Sequence, residues 1–401
     1  MRVAIIGGGA AGFFSALSVK EHYPESEVFI FEKTSKLLAK VKISGGGRCN
    51  VTHACFKNPE LVKHYPRGAK HLKKTFSQFT TSDTVDWFES RGVSLKTEDD
   101  NRMFPVTDDS QTIIDILLDE VRRLKIRLQM STTIRSILPT EKGFELAYAN
   151  DKKHFDKVVI ASGGSPKLEG FNWLKELGHE INAPVPSLFT FNMPEETVKK
   201  LMGVTIPLAT VKVQGTKLEQ FGPLLITHWG MSGPAILKTS AWGARILNDL
   251  NYDFKIQVNW ANASENEFRN QLQERELIDS KKLLKNQNPV DVPHRFWEYL
   301  VNKSGLALDK PWNELGKKGL NKLVNILTND QYQVQGKTTF KEEFVTAGGV
   351  NLADVDFNSM QSRKVPGMYF AGEVLDVDGV TGGFNFQAAW STGFVAGKLL
   401  D

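Results

Sequence analysis

The residues whose types and spacing suit chemistry lie mostly at the two ends of the chain, and glycine sets the spacing at both. Gly7, Gly9 and Gly12 fill the pattern G-x-G-x-x-G, with Ala10 and Ala11 between the last two. Such a turn lets backbone N–H groups approach an anion that a Cβ at Gly9 would hold off. A helix starting there adds its positive dipole end. Glu32 stands about twenty residues after Gly12, where a carboxylate accepts hydrogen bonds from ribose hydroxyls. It would repel a 2′-phosphate, so the pattern fits NAD or FAD and disfavours an NADP-type ligand. A second cradle is Ser44-Gly45-Gly46-Gly47-Arg48-Cys49-Asn50. Its glycines expose N–H groups, Arg48 offers a cation to a phosphate, and Asn50 can donate to and accept from a polar ring edge. Cys49 reads as a small buried side chain before it reads as a reactive thiol. Towards the C-terminus, Gly372 and Glu373 end an apolar run, and a glycine loop at 379–383 opens a helix. That helix N-terminus suits an electron-rich ring with developing negative charge. In mid-chain, His228-Trp229-Gly230-Met231-Ser232-Gly233-Pro234 offers His228 for proton exchange and Ser232 for a hydrogen bond. A lone histidine without a visible partner reads first as structural.

The elements needed to position these residues follow from apolar patterning. The short unbroken apolar run at 2–6 predicts a strand buried on both faces. A helix follows over 10–22, stopped by Pro24, and then a second strand at 27–31 that ends at Glu32. Residues 68–91 read as two helices with Ser82 and Asp83 as capping candidates, Arg102-Met103-Phe104-Pro105 as a loop, and 110–125 as an amphipathic helix. Three short strands are expected at 126–130, 133–138 and 144–149, the last two forming a hairpin. A buried strand at 158–161 runs into Ser162-Gly163-Gly164. The character changes near Pro184: 188–337 reads as an insertion with a β part and a polar helical part. The C-terminal stretch then returns to buried strand, glycine loop and a helix over 384–400.

Composition sets the class. The chain has 401 residues, 41% hydrophobic and 24% charged, which is ordinary for a soluble globular protein of two or three domains. Fifty basic and forty-six acidic residues give +4, too mild a balance to argue for nucleic acid. The basic cluster Lys63, Arg67, Lys70, Lys73 and Lys74 reads as a solvated face. The N-terminus reads as a core strand rather than a signal peptide, and no apolar stretch is long enough to span a bilayer. Cys49 and Cys55 have a spacing that is neither a zinc pair nor a C-x-x-C motif. No metal and no disulfide framework are expected, and a cytoplasmic location is the default.

Together, the N-terminal fingerprint with Glu32-Lys33, the SGGGRCN block, the ASGG strand end and AGEVLDVDGVTGGFNFQAAWSTG resemble the flavoprotein family that includes the YhiN-like proteins. BaiN-type bile-acid enone reductases and aminoacetone oxidases look like its characterised relatives. The resemblance runs over essentially the whole chain, including RMFP and ITHWGMSGPAIL. It implies an α/β fold: a Rossmann-like FAD-binding domain of the GR2 flavoprotein type over 1–187 and 338–401. It also implies an inserted β-barrel-like domain over 188–262 and 328–337, and an inserted helical subdomain over 263–327. FAD would bind non-covalently. Gly7, Gly9, Ala10, Ala11 and Gly12 would hold its pyrophosphate, and Glu32, beside Lys33, its adenosine ribose. Gly47, Arg48, Cys49 and Asn50 would run toward the ring, and Ile134 would meet adenine through its backbone. Ala161, Ser162 and Gly163 would pass near the cofactor. Gly372 and Glu373 would reach the ribityl chain, and Gly383, Phe384 and Asn385 would face the pyrimidine edge. Trp229, Met231 and Phe384, the last where tyrosine is common, are the departures from the pattern.

The resemblance implies an FAD-dependent oxidoreductase moving a hydride between flavin and a small organic substrate, by enone reduction or amine oxidation, in a cleft between the FAD domain and the insertion. Only one dinucleotide fingerprint is present, so a nicotinamide donor, if used, would bind transiently in the same cleft. Two alternatives stand beside this reading. One is a flavin-dependent RNA-modifying or RNA-binding protein, supported only by the Lys63–Lys74 cluster. The other is a non-catalytic FAD redox sensor, supported only by Cys49. Neither nucleic acid nor membrane is the expected partner, and nothing in the sequence fixes an oligomeric state.

Overall fold

The computed structural model describes residues 1–148, 151–278, 280–338 and 345–400. Residue 149, the expected end of one hairpin strand, and residues 339–344, part of the expected C-terminal return, lie outside the described residues. The chain divides into two compact units, Met1–Ser187 with Phe340–Asp401, and Leu188–Thr339.

The first unit is built on β1 (Arg2–Ile6), α1 (Ala10–His22), β2 (Glu27–Phe31), β3 (Arg127–Gln129), β4 (Lys157–Ile160), β5 (Met368–Phe370) and α2 (Phe384–Gly397). The five strands run parallel in the order β5-β4-β1-β2-β3. A small antiparallel edge, Val355–Asp356 with Gln361–Ser362, is added beyond β5. β1 is central, so Val3, Ala4 and Ile5 are buried on both faces, which accounts for the unbroken apolar run. Ile6 lies beside Phe31 and Ile160, so three strands end together at their carboxyl edge. Ligands bind doubly wound sheets at such an edge. Nearly all of α1 from Ala11 to Val19 is buried, and so is most of α2. The two helices press together through small residues: a Cβ at Gly393 would lie 2.6 Å from the Ala11 carbonyl oxygen, and one at Gly397 would lie 2.5 Å from that of Ser15.

Three local expectations change. Arg102–Pro105 is a strand rather than a loop, paired with Thr52–His53 and Leu95–Thr97, because Met103 and Phe104 bury their side chains in it. The hairpin Ile134–Thr140 with Gly143–Tyr148 gains a third strand, Asp151–Phe155. In the helix Thr81–Glu89 the N-cap is Thr80, not Ser82, while Asp83 accepts from the Thr80 N–H at 2.7 Å.

The second unit contains a seven-stranded sheet ordered Asp330–Gln335, Asp253–Asn259, Thr205–Val213, Glu219–Ile226, Gly230–Ser232, Thr190–Asn192, Lys337–Thr338. Its first and last strands are consecutive pieces of chain joined at Gly336, where φ is +94°, so the sheet closes on itself as a barrel. Alternation drives the strands: Phe254, Ile256 and Val258 point inward while Lys255 and Gln257 do not. The β part is not purely β, because the helix Pro234–Asp249 starts with proline in its first turn and buries Ala235, Ile236 and Leu247. The helices Glu265–Ile278, His294–Lys303 and Gly316–Thr328 share one core with the barrel, in which Trp297, Leu300 and Leu323 join Ile206, Val211 and Ile256. Lys281, Lys317 and Lys318 are exposed.

Candidate cofactor site

The turn from β1 to α1 assigns a separate job to each glycine. Gly7 has φ +118° and its N–H donates to the Phe31 carbonyl at 2.8 Å. A Cβ on it would lie 2.2 Å from the Ala161 carbonyl oxygen at the end of β4. A Cβ on Gly12 would lie 1.9 Å from the Gly7 carbonyl oxygen. These two glycines are therefore required for packing. Gly9 is different: a Cβ there meets nothing within 4 Å. It is the N-cap of α1, so its backbone and the first-turn N–H groups at Ala10 and Ala11 border open space. Gly46, Gly47 and Gly163 face open space in the same way. Open cradles beside a helix N-terminus fit a pyrophosphate.

Glu32 is held against this turn. One carboxylate oxygen accepts from the Gly8 N–H at 2.9 Å, and the other from the Thr34 N–H and hydroxyl at 2.8 and 2.9 Å. A carboxylate has about four acceptor sites, so one is left for a ribose hydroxyl. Lys33 next to it is exposed. Ala161 donates its N–H to Ile6 at 2.9 Å, Ser162 is exposed, and Gly163 takes φ +74°. Ile134 is half-buried and begins its strand opposite Tyr148. A Cβ on Gly372, where φ is +74°, would lie 2.7 Å from the Cβ of Ala11, so the C-terminal segment seats directly on the N-terminal turn. Glu373 accepts from the Thr346 N–H at 2.9 Å and pairs with Lys40.

The SGGGRCN segment departs from expectation at its side chains. The guanidinium of Arg48 bonds Glu98 at 2.6 Å and lies 4.0 Å from the centre of the Phe104 ring. Its charge meets a carboxylate, and beside it Gly45, Gly46 and Gly47 all have positive φ. Cys49 is fully buried, and burial pushes its thiol up to about 12. Asn50, with its amide oriented to satisfy its neighbours, accepts from the Gly383 N–H at 3.0 Å and donates to the Thr52 carbonyl at 2.9 Å. It thus locks the segment to the glycine loop instead of reaching for a ring edge.

At that loop, Gly383 with φ +92° is the N-cap of α2. Phe384 is buried and stacks on His64 with centroids 4.2 Å apart. The Asn385 amide closes the loop on itself, accepting from the Gly379 N–H at 2.8 Å and donating to its carbonyl at 2.9 Å. Phe384 is thus packed inside, and the Asn385 amide is spent on its own loop.

His228 and Ser232 belong to the second unit. His228 is exposed on a tight turn closed by the Thr227 N–H bonding the Gly230 carbonyl at 2.8 Å, with its ring edge-on to Trp229 at 4.1 Å. It is not a buried structural histidine. Ser232 is half-buried opposite Leu225.

Sequence reasoning missed Asp378, which is wholly buried and forms a bidentate pair with Arg67, while also accepting from the Ser187 hydroxyl. Arg67 is therefore not part of a solvated face. The signal was available: two aspartates, Asp376 and Asp378, sit in an otherwise apolar, glycine-rich run. Burial raises the Asp378 carboxyl above its usual range, and Arg67 opposes that rise.

The family description "HI0933-like protein Rossmann domain" matches residues 1–399. The chain belongs to this family. It is accordingly an FAD-dependent oxidoreductase with a Rossmann-like FAD-binding domain, of the YhiN/BaiN-like kind. Among curated proteins it is similar to a ribosomal RNA dihydrouridine synthase of Escherichia coli strain K12, 30% identical, with 99% of this chain and 97% of the relative aligned. It is also similar to a 3-dehydro-bile acid delta(4,6)-reductase of Clostridium scindens, 26% identical, with 99% and 98% aligned. Among solved structures the fold is similar to an open flavocytochrome c3 fumarate reductase, with TM-score 0.53, 16% identity, and 100% of this chain and 78% of that one covered. It is similar too to a 3-ketosteroid-delta4-(5alpha)-dehydrogenase of Rhodococcus jostii RHA1, with TM-score 0.51, 12% identity, and 98% and 96% covered. No helix among the described residues is long and apolar enough to cross a membrane, and no group of metal-ligating side chains occurs among them.

Proposed function

We propose that this flavoprotein adds two hydrogens across a C=C bond conjugated to a carbonyl in a small organic substrate. One observation carries the reading. The two relatives aligned over nearly their full lengths bear names with unrelated substrates, yet dihydrouridine formation and bile-acid delta(4,6) reduction both saturate a C=C bond conjugated to a carbonyl. What two such relatives share is the chemistry. FAD, when bound, supplies the hydride.

The chain's own residues bind and orient. Backbone N–H groups at Gly9, Ala10, Ala11 and Gly12 hold the pyrophosphate, with Gly47, Cys49 and Asn50 contributing backbone. Glu32 holds the adenosine ribose, and Ile134 meets adenine through its backbone. Ala161, Ser162 and Gly163 line the cofactor, Gly372 and Glu373 take the ribityl hydroxyls, and the backbone at Gly383, Phe384 and Asn385 meets the pyrimidine edge. NAD(P)H is the transient reductant, and His228 with Ser232 are the substrate-binding groups of the insertion.

A second reading rests on the name of the E. coli relative and of a 26% identical Haemophilus influenzae relative, also called a ribosomal RNA dihydrouridine synthase. In it the conjugated C=C belongs to a uracil base in RNA.

The test is anaerobic. Flavin photoreduced in the purified protein is mixed with 2-cyclohexenone, with an amine-derived imine, or with a uridine-containing rRNA fragment, and reoxidation is followed by absorbance. Reoxidation by the enone is expected. Reoxidation by the RNA alone selects the second reading, and reoxidation by none of the conjugated carbonyls sinks both. His228→Ala is expected to slow enone turnover while FAD content stays that of the wild type.

A further inference from the structure

We propose that the exposed side of the helix Pro234–Asp249 is a docking surface for a second copy of this chain, the two helices packing antiparallel about a two-fold axis at Ile246. The proposal goes beyond the reduction argued above and does not depend on it.

The surface is a ridge of side chains spaced four residues apart. Trp242, Ile246 and Leu250 are 39%, 45% and 41% exposed, and they share one side of the helix because residues at i and i+4 lie one above the other. Phe221, 64% exposed, extends the ridge toward the start of the helix. The Lys238 ammonium lies 5.5 Å from the centre of its ring, and Lys238 is one turn before Trp242. The remaining sides are already covered: Ala241, Gly243, Ala244 and Leu247 are buried, and a Cβ on Gly243 would lie 2.3 Å from Leu218 Cδ2. The last turns of this helix are therefore apolar on their inner and outer sides alike, the pattern of a helix covered on both. Large apolar side chains gathered in solvent mark an interaction surface.

Charge selects the occupant. Arg245 and Asp249, both exposed, run beside the ridge one turn apart. An antiparallel pair reverses the order of residues along the helix and keeps each residue on its side. Trp242 then packs on Leu250 of the second copy, Ile246 meets its own counterpart, and each Arg245 approaches the other copy's Asp249. A parallel pair would set Asp249 against Asp249, which repels. Arg245 also interacts within its own chain, and the five N–H donors of a guanidinium leave others for the carboxylate. Asp249 gains most from that partner. It ends the helix, where the negative end of the dipole disfavours a carboxylate, and no basic residue lies in the last turn. Arg245 stands four residues before it, the poorer order for pairing within one helix. A face that matches itself under a two-fold rotation is what an isologous dimer requires. A lipid surface would instead call for cations alone around the ridge.

The test is the oligomeric state of the FAD-loaded protein. Sedimentation velocity from about 1 to about 100 µM, the range of moderate affinities, is expected to show monomer passing into dimer. Ile246→Glu is expected to weaken the dimer about a hundredfold, because two carboxylates without cations would be buried at the axis. Its Tm and FAD content should match the wild type, since the position is exposed in a single chain. Asp249→Lys sets like charges together at both ends of the ridge and is expected to weaken the dimer about tenfold. A short bismaleimide should join Ile246→Cys to its counterpart above the wild-type background from Cys55. Met202→Cys, 59% exposed in the same unit and outside the ridge, should stay at that background. A wild type that stays monomeric overturns the proposal, and so does a dimer whose strength Ile246→Glu leaves unchanged. If Ile246→Glu and Asp249→Lys both fail to fold, the ridge is structural and the proposal falls. A monomer that floats with vesicles of anionic phospholipid assigns the ridge to a membrane surface and overturns it as well.

Discussion

Asp378 in the first unit and Asp330 in the second are both buried carboxylates facing a cation, and they hold different things together. Asp378 meets Arg67 and the Ser187 hydroxyl, so it ties the glycine loop before α2 to a segment near the N-terminal third of the chain and to the end of the first unit's N-terminal portion. Asp330 bonds Lys303 at 2.6 Å and the Trp260 indole at 3.1 Å, and also accepts from the Tyr332 hydroxyl, so it joins a barrel strand to the helix His294–Lys303. Burial pushes both carboxyls up against the pull of their cations. The difference is what each pair borders: one the glycine loop proposed above to meet FAD, the other a seam between a barrel strand and a helix.

Breaking the pairs should show that difference at its largest. Removing one partner of a buried pair costs about 3–5 kcal/mol, because the other charge is stranded. Asp378→Ala and Asp330→Ala are both expected to lower the urea midpoint by that order. Only Asp378→Ala is expected to empty the folded protein of FAD, measured as the ratio of flavin to protein absorbance. Equal loss of FAD from Asp330→Ala would erase the distinction. The cations give a pH version of the test. In Lys303→Met the Asp330 carboxyl loses the partner that lowers its pKa, so its folded value rises further above the unfolded value of about 3.9. A raised folded pKa means that the proton favours the folded state. The variant should therefore be most stable below about pH 4 and lose stability as pH rises, by more than the wild type, in which burial already raises the same carboxyl.

The two kinds of glycine in the β1–α1 turn sharpen the same contrast on a smaller scale. Gly12→Ala forces a Cβ against the Gly7 carbonyl and should cost about 1–3 kcal/mol of stability. Gly9→Ala enters open space and should leave the melting curve within about 0.5 kcal/mol of wild type. It is expected to weaken FAD binding all the same, because the added methyl fills the cradle. A Gly9→Ala protein with wild-type FAD affinity would move the pyrophosphate elsewhere. Glu32→Ala should weaken FAD by about 1–3 kcal/mol, read by flavin titration, since it removes an acceptor of charge-assisted hydrogen bonds.

What was legible in the sequence was what a short segment fixes by itself. The turn at Gly7–Gly12 and Glu32 at a strand end follow from local pattern, since strand, glycine and helix signals are contiguous there. The barrel's closure at Gly336 was not legible, because it depends on one residue bending a strand so that its two halves pair with strands far apart in sequence. Side-chain partners were not legible either. Arg48, Asn385 and Phe384 are polar or aromatic residues in glycine-rich loops, and from sequence they read as ligand-facing. Glu98, Gly379 and His64 claim them instead, and those partners lie up to about 320 residues away.

Cys49 separates the enzyme from a redox sensor, with the smallest effect of the set. A sensing thiol must be a thiolate and must be reached. Cys49 is fully buried with its pKa pushed up to about 12, so at pH 8 only about one molecule in ten thousand carries the thiolate. Cys55 is half-buried, and burial raises it less, with Glu60 adding to the rise. Iodoacetamide is expected to label Cys55 in the native protein and Cys49 only after denaturation, as mass spectrometry of tryptic peptides would show. Cys49→Ala should retain FAD and full flavin reactivity while costing about 1 kcal/mol of packing. Rapid native labelling of Cys49, or loss of flavin reoxidation in Cys49→Ala with FAD still bound, would put that thiol back into the chemistry.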